Sequence, residues 1–303
     1  MTSLLAWRRA VARGSLLLAV AVLAAGVGEG AAQPVRHATG QEVVPAYEGW
    51  ERNPDGSFSL VFGTMNRNWG EALDIPIGPN NSVEPGGPDQ GQPTHFLPRR
   101  NRFLFRIRVP ADFGDQERVW TLTSPNGETK KAYASLHPDY FIDDVILQRN
   151  SGAPTADWLL TNEAPRLEVL GGAARTVAVG EPLTLTAVAT DDGVPEWFQL
   201  PPRPTHVTTF GARGLRVAWF VYRGAGAEAA FEPEQFQVWE DRRVGANSPW
   251  GPGWGAPPLP PDDKWVVQAT FSEPGTYVVR CLAHDGGLMV AEDITVVVSG
   301  DAQ

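Results

Sequence analysis

Six polar side chains crowd the stretch between residues 63 and 100: Asn66, Asn68, Asn80, Asn81, Asp89 and His95. Amides, a carboxylate and an imidazole together supply donors and acceptors of every kind, so the stretch can line a polar ligand pocket on which Asp89, His95, Asn66 and Asn68 converge. The same residue types also cap turns by bonding to nearby backbone. Arg100 ends the stretch and opens a series with Arg102, Arg106 and Arg108. On one strand face, guanidinium forks grip phosphate, sulfate or an acidic polysaccharide, or else pair with acids such as Glu117. Trp250 and Trp254 flank a Gly-Pro-Gly turn, with Trp239 and Trp265 nearby in sequence. Indoles in an exposed loop stack on sugar rings or a partner protein, whereas buried ones close a sandwich or a contact between domains. Asp191, Asp192 and Asp285, with Asp262 and Asp263, offer hard oxygens suited to calcium, although no twelve-residue calcium loop is present and turn carboxylates are commonly just solvated.

Catalytic chemistry finds no matching pattern. There is no Gly-x-Ser-x-Gly and no His-Glu-x-x-His, and His37, His95, His137, His206 and His284 show no metal-ligand spacing. The expectation is a protein without catalytic residues or cofactor.

These candidates need a scaffold, and the chain supplies strands. Its 27 prolines, 32 glycines and 11 tryptophans, with few long helical patterns, suit short strands joined by turns, so the fold class expected is all-β, as two β-sandwich domains. In the first half, Asn53-Pro54-Asp55-Gly56 reads as a turn leading into a strand over 57–62. The clearest alternation is over 102–109, with Phe103, Phe105, Ile107 and Val109 on one side and Arg102, Arg106 and Arg108 on the other. Strands over 118–123 and 129–135 follow, and the three together suggest an antiparallel meander. The Pro/Gly/Asn-rich segment over 74–98 is too polar for a strand and reads as a long ordered loop.

In the second half, strands are expected over 166–170, 183–189, 215–221, 264–271, 276–283 and 292–298. The domain organisation expected is therefore a leader over 1–32, an extension over 33–46, a β-sandwich over 47–147, a linker over 148–165, and a sandwich over 166–299 carrying long insertions at 190–214 and 223–263.

The second half resembles the immunoglobulin-like sandwich, and in particular the bacterial extracellular PKD-like or Ig-like modules. The resemblance runs over roughly 164–299 and rests on particular residues. Ala187 stands where the first cysteine of an immunoglobulin domain would be, Trp219 where its core tryptophan would be, and Val279 where its second cysteine would be. Gly275-Thr276-Tyr277-Val278-Val279 looks like the tyrosine corner, and Asp285-Gly286-Gly287 follows as it commonly does in these modules. The resemblance implies a disulfide-free clamp of apolar side chains, and such sandwiches serve as spacers, binding modules and adhesion modules alike. The first half resembles no family named here.

The opening residues set the compartment. Arg8, Arg9 and Arg13 precede an apolar run over 16–25 and small residues around Ala31 and Ala32, the three-part plan of an export signal by the general secretory route or the twin-arginine one. Removing it would take three arginines and Glu29 from 25 basic and 35 acidic residues, leaving 22 and 34, a net of −12. Such a charge argues against nucleic acid and anionic membrane as partners. No later run is long enough to span a bilayer. Cys281 is the single cysteine, so no internal disulfide is expected. The functional expectation is an exported, periplasmic or extracellular, non-enzymatic binding or scaffold protein of the cell envelope, with a glycan or an envelope protein as partner. The alternatives are a carbohydrate-active or carbohydrate-binding protein with its site in 63–100, and a structural component of a surface assembly.

Overall fold

The computed structural model describes residues 37–203 and 210–300; the leader read over 1–32 and His206 lie outside the described residues. Period-two hydrophobicity builds the first sandwich. Its strands are β1 (Val43–Arg52), β2 (Phe58–Asn66), β3 (Leu73–Asp74), β4 (Asn81–Glu84), β5 (His95–Phe96), β6 (Arg99–Val109), β7 (Arg118–Thr123) and β8 (Thr129–Ala134). They form sheets of order β1-β2-β6 and β4-β7-β8, with β3 and β5 paired beside them. The Asn53–Gly56 turn closes as its residues require, Gly56 donating to the Asn53 carbonyl with φ +86°.

The expected meander is not formed. β6 pairs with β2 while β7 pairs with β4 and β8, because the apolar faces of β6 and β7 oppose each other across the core instead of lying side by side. Phe105 meets Trp120 edge-on at 4.9 Å and stacks on Phe62 at 5.0 Å. Phe103 departs from the expected alternation. Between the pairs Phe62–Phe105 and Thr64–Asn101 the β6 ladder takes four residues against two, and Phe103 adopts φ +54°. That bulge turns its ring to the opposite face, where it packs with Val61, Ile142, Leu147 and Leu288.

The segment expected as a linker is ordered. Helix α1 (Asp144–Asn150), capped by the Asp143 carboxylate at Ile146 N, runs into it, and a short 3-10 turn follows at Asp157–Leu160. Gln148 and Asn162 within it are buried and bonded to each other at 3.0 Å.

The second sandwich comprises β9 (Arg166–Val169), β10 (Ala174–Ala178), β11 (Leu183–Thr190), β12 (Arg216–Arg223), β13 (Ala229–Glu232), β14 (Lys264–Phe271), β15 (Gly275–His284) and β16 (Met289–Ser299). Sheet orders are β13-β14-β11-β9 and β10-β16-β15-β12, with β10 parallel to β16 and every other pair antiparallel. This is the immunoglobulin arrangement of a four-stranded sheet facing the sheet that carries the core tryptophan. Ala187, Trp219 and Val279 are all buried in one cluster, and the Tyr277 hydroxyl donates to the Glu273 carbonyl at 2.9 Å, a tyrosine corner. Hydrocarbon thus fills the place of the sulfur bridge. Cys281 lies opposite Trp219 in register and points inward with Tyr277 and Val279; burial raises its thiol pKa.

Candidate functional site

The segment over 74–98, expected to be too polar for a strand, contributes β4 and β5, because Asn81, Val83, His95 and Phe96 turn inward while their amide and imidazole groups find partners, and it does not present its polar groups to a ligand of its own. It docks on β12 of the second sandwich. Arg223 grips Asp89 with both terminal nitrogens at 2.8 and 3.1 Å and donates through Nε to the Gln92 carbonyl, while the Tyr222 hydroxyl donates to the Gly91 carbonyl at 2.6 Å. Thr94 N reaches the Tyr222 carbonyl, and Thr94 Oγ1 accepts from Gly224 N. Tyr222 itself is counted in the core of the first sandwich, buried among its residues.

The predicted residues are placed accordingly. Asn66 donates to the Glu71 and Phe96 carbonyls and accepts from Asn68 N, Asn68 exchanges two bonds with the Gln41 backbone, and Asn81 holds the Ile75 and Pro93 carbonyls and the Trp120 indole. Asn80 is exposed, and its carbonyl takes Thr123 N. His95 is buried with Nδ1 2.7 Å from Asp74, its ring lying over Gly226, where a Cβ would sit 2.2 Å from it. Asp89, His95, Asn66 and Asn68 therefore do not converge on one pocket. Each spends its capacity on a different backbone segment or charge, since a buried amide left unpaired costs about 1–3 kcal/mol.

The two sandwiches enclose a separate cleft of about 540 Å³, within the size range of small-molecule sites. Its floor is the outward face of β15 and β12 and its roof the bulged stretch of β6. A row of donors runs along it: Arg100, Arg102, Arg106, Arg280, His284 and Ser151. The rest of the wall is mostly apolar, with Leu104, Phe220, Val238, Trp250, Leu282 and Val290, and Asn101 adds an amide to it. No carboxylate among the described residues lines it.

The acids stand behind the arginines. Arg100 bonds Glu48 at 2.7 Å, Arg106 bonds Glu51 at 2.8 Å, Arg280 bonds Asp293 at 2.7 Å, and Arg102 reaches Glu240 at 3.3 Å. Arg108, beyond the cleft, pairs with Asp55. The arginine series is thus paired with acids, though not with Glu117. A guanidinium carries five N–H groups and a bidentate carboxylate takes two, so each pair fixes the fork and leaves donors over. Glu48 is buried, which pushes its carboxyl pKa up against the opposing pull of Arg100. Arg280 is further held by the Leu104 carbonyl and by the Tyr222 ring, 3.6 Å beneath it.

Under the cleft lies a buried polar cluster. Arg216 is enclosed, bonding the Ala212 and Gly214 carbonyls while its Nε has no partner among the described residues, and burial lowers its pKa to about 10. Asp285 accepts from Leu288 N at 2.7 Å, from Gly287 N and from Asn162, tying the β15–β16 turn to the 148–165 segment, yet burial raises its carboxyl pKa to about 6. His284 Nδ1 accepts the Gly286 N–H at 2.8 Å, which leaves the ring proton on Nε2. Burial, and then the Arg216 charge, hold the imidazole pKa well below its usual value, so the ring is a neutral donor.

Trp250 is 8% exposed and forms part of the cleft wall; Trp254 is half-buried, bonding Asn247 through its indole and meeting Phe236 edge-on. The exposed indole is Trp197, at 61%. Among the described residues no three His, Cys, Asp or Glu side chains gather as metal ligands, and both Asp285 oxygens and both Asp192 oxygens already accept protein N–H groups. The sequence reading missed Arg280, His284, Ser151, Phe220 and Leu282. Their one signal was outward position on strands expected to be half-solvated.

No family model matches the chain, and no curated protein matches it. Among solved structures, the fibronectin(III)-like modules of Clostridium thermocellum CbhA share 9% identity over 86% of this chain and 95% of theirs, with a TM-score of 0.23. The D00-D0 domain of intimin shares 12% over 84% of this chain and 100% of its own, at 0.24, and domains 4 and 5 of the S-layer protein SbsC share 12% over 86% and 98%, at 0.22. At such scores the likeness adds nothing to what strand order already establishes. No described helix is long and apolar enough to cross a membrane.

Proposed function

We propose that the chain is an exported, non-enzymatic binding protein of the cell envelope whose ligand site is the cleft between the two sandwiches. The observation that carries this reading is the cleft's wall: β6, β12 and β15 turn donors and apolar side chains into one half-open cleft, where flat packing would have closed it. The export signal read in the first residues supports the location. The test is to fill the space. Leu282→Trp and Ala291→Leu both extend side chains into it; the purified protein is expected to bind a naphthalene dye and each variant to lose it while melting as before. Unchanged binding in both variants refutes the site.

A carbohydrate reading has one observation in its favour, away from 63–100. Trp197 lies flat on a bed of two glycines, a Cβ at Gly214 or Gly255 falling 3.0 or 3.3 Å from its ring, and its exposed face borders a depression of about 380 Å³ shared with Asp191 and Asp263. A fixed indole beside carboxylate acceptors suits a sugar ring. Glycan-array retention lost on Trp197→Ala supports it; retention by the variant refutes it.

A further inference from the structure

The cleft's chemistry narrows what it takes. We infer that the ligand is an amphipathic anion, one carboxylate, sulfonate or phosphate head on an apolar body; this rests on the cleft being the binding site.

The head is selected by donors with no competing carboxylate. Four arginines, the Nε2–H side of His284 and the Ser151 hydroxyl face one space, and no side-chain carboxylate faces it with them. Ser151 is buried with its Oγ unpartnered among the described residues, a hydroxyl that lacks its bond until something supplies an acceptor. His284 adds a donor that needs no protonation, because Gly286 N–H fixes its tautomer. The acids that pair with Arg100, Arg106 and Arg280 sit on the arginines' own sheets and outside the lining, so these forks are oriented before a ligand arrives and little side-chain entropy remains to be lost.

The body is selected by the opposite wall. Leu104, Phe220, Trp250 and Leu282 present hydrocarbon and indole, with no polar partner for a sugar's ring of hydroxyls. A small inorganic anion would satisfy the donors and leave this wall wet; a neutral hydrocarbon would fill the wall and leave the donors unpaired. Only a molecule with both ends uses the whole cleft.

Two dyes of nearly the same body isolate the head group: 1-anilinonaphthalene-8-sulfonate carries a sulfonate, and N-phenyl-1-naphthylamine does not. Fluorescence titration of the purified protein is expected to give the sulfonate at least tenfold tighter binding, with dodecanoate displacing it and inorganic phosphate failing to. Arg102→Gln with Arg106→Gln is expected to erase the preference while leaving the fold, since Glu240 keeps Arg242 at 2.6 Å and the Arg106 pair is partly exposed. Leu282→Trp is expected to remove both dyes. Equal affinity for the two dyes, both lost in Leu282→Trp, overturns the anionic class and keeps the cleft. A sulfonate preference that survives the arginine pair likewise overturns it. Binding untouched by Leu282→Trp, or no binding of either dye, overturns the cleft as well.

Discussion

The sandwiches meet twice, and the two meetings use arginine in opposite ways. At the clamp, Arg223 of β12 reaches across to Asp89 of the first sandwich, so the pair bridges the seam and seals it. At the cleft, Arg100, Arg106 and Arg280 pair with acids of their own sheets, Glu48, Glu51 and Asp293, so these ion pairs do not bridge the seam, and Arg280 crosses it only to the Leu104 backbone carbonyl. The location of the carboxylate, in front of the guanidinium or behind it, decides whether a seam is structural or receptive. Among the described residues, the cleft arginine whose ion pair crosses is Arg102, to Glu240 in the 223–263 insertion, whose Arg243 also lies over Trp69 at 4.8 Å. That insertion acts as an outer wall.

The contrast breaks hardest at Arg100. Arg100→Ala strands the buried Glu48 carboxylate, and urea unfolding is expected to show a loss of ~3–5 kcal/mol. Arg100→Met with Glu48→Leu is expected to recover most of it, since replacing both charges removes the desolvation cost. At the clamp the largest effect is apolar. Tyr222→Ala empties a place in the first core and is expected to cost ~3 kcal/mol, whereas Tyr222→Phe loses only the Gly91 bond, ~1 kcal/mol, both read by the same unfolding curves.

The polar cluster beneath the cleft sharpens the comparison through pH. Asp285 has its carboxyl pKa raised to about 6 in the fold, so its contribution is fully present below about 4, the unfolded value, and lost as pH rises through 6. His284 runs the other way: its lowered pKa means stability present above about 6.5 and lost as pH falls. Acidification from pH 7 to 5 therefore has opposed parts, each at most ~1.4 kcal/mol per pH unit. Thermal melts should show Asp285→Asn falling more steeply on acidification than the parent, and His284→Gln less steeply. Parallel melting curves for all three would remove the assignment. Smallest of all is Asp89→Ala. The pair is partly exposed, so a loss within ~1 kcal/mol is expected, with dye binding at the cleft unchanged.

Much of this architecture was readable because it repeats every second residue. The strands around Ala187, Trp219, Tyr277 and Val279 carry their apolar side chains at that period, and the core they form follows. β1 was missed for an equally physical reason. It carries Pro45 and Gly49, residue types that disfavour strands, but β1 is an edge strand, where a missing N–H is tolerated, and Gly49 sits at a bulge with φ +135° where a Cβ would lie 2.5 Å from the Tyr140 carbonyl. β10 escaped because its partner β16 is over a hundred residues away and parallel. The cleft was illegible for the same reason on a larger scale: it joins outward faces of β6 and β15, which look solvated in sequence because nothing local says that two outward faces will meet. The polar loop misled in the reverse direction, since its amides serve the backbone they sit in.

Hydrogen–deuterium exchange with and without the naphthalene sulfonate tests the central claim most directly. Slowed exchange confined to β6 around Arg100–Phe105, to β15 around Arg280–His284 and to the 238–250 wall is the result expected. Slowing instead around Trp197, in the segment between β11 and β12, or nowhere, would contradict a receptive seam between the sandwiches.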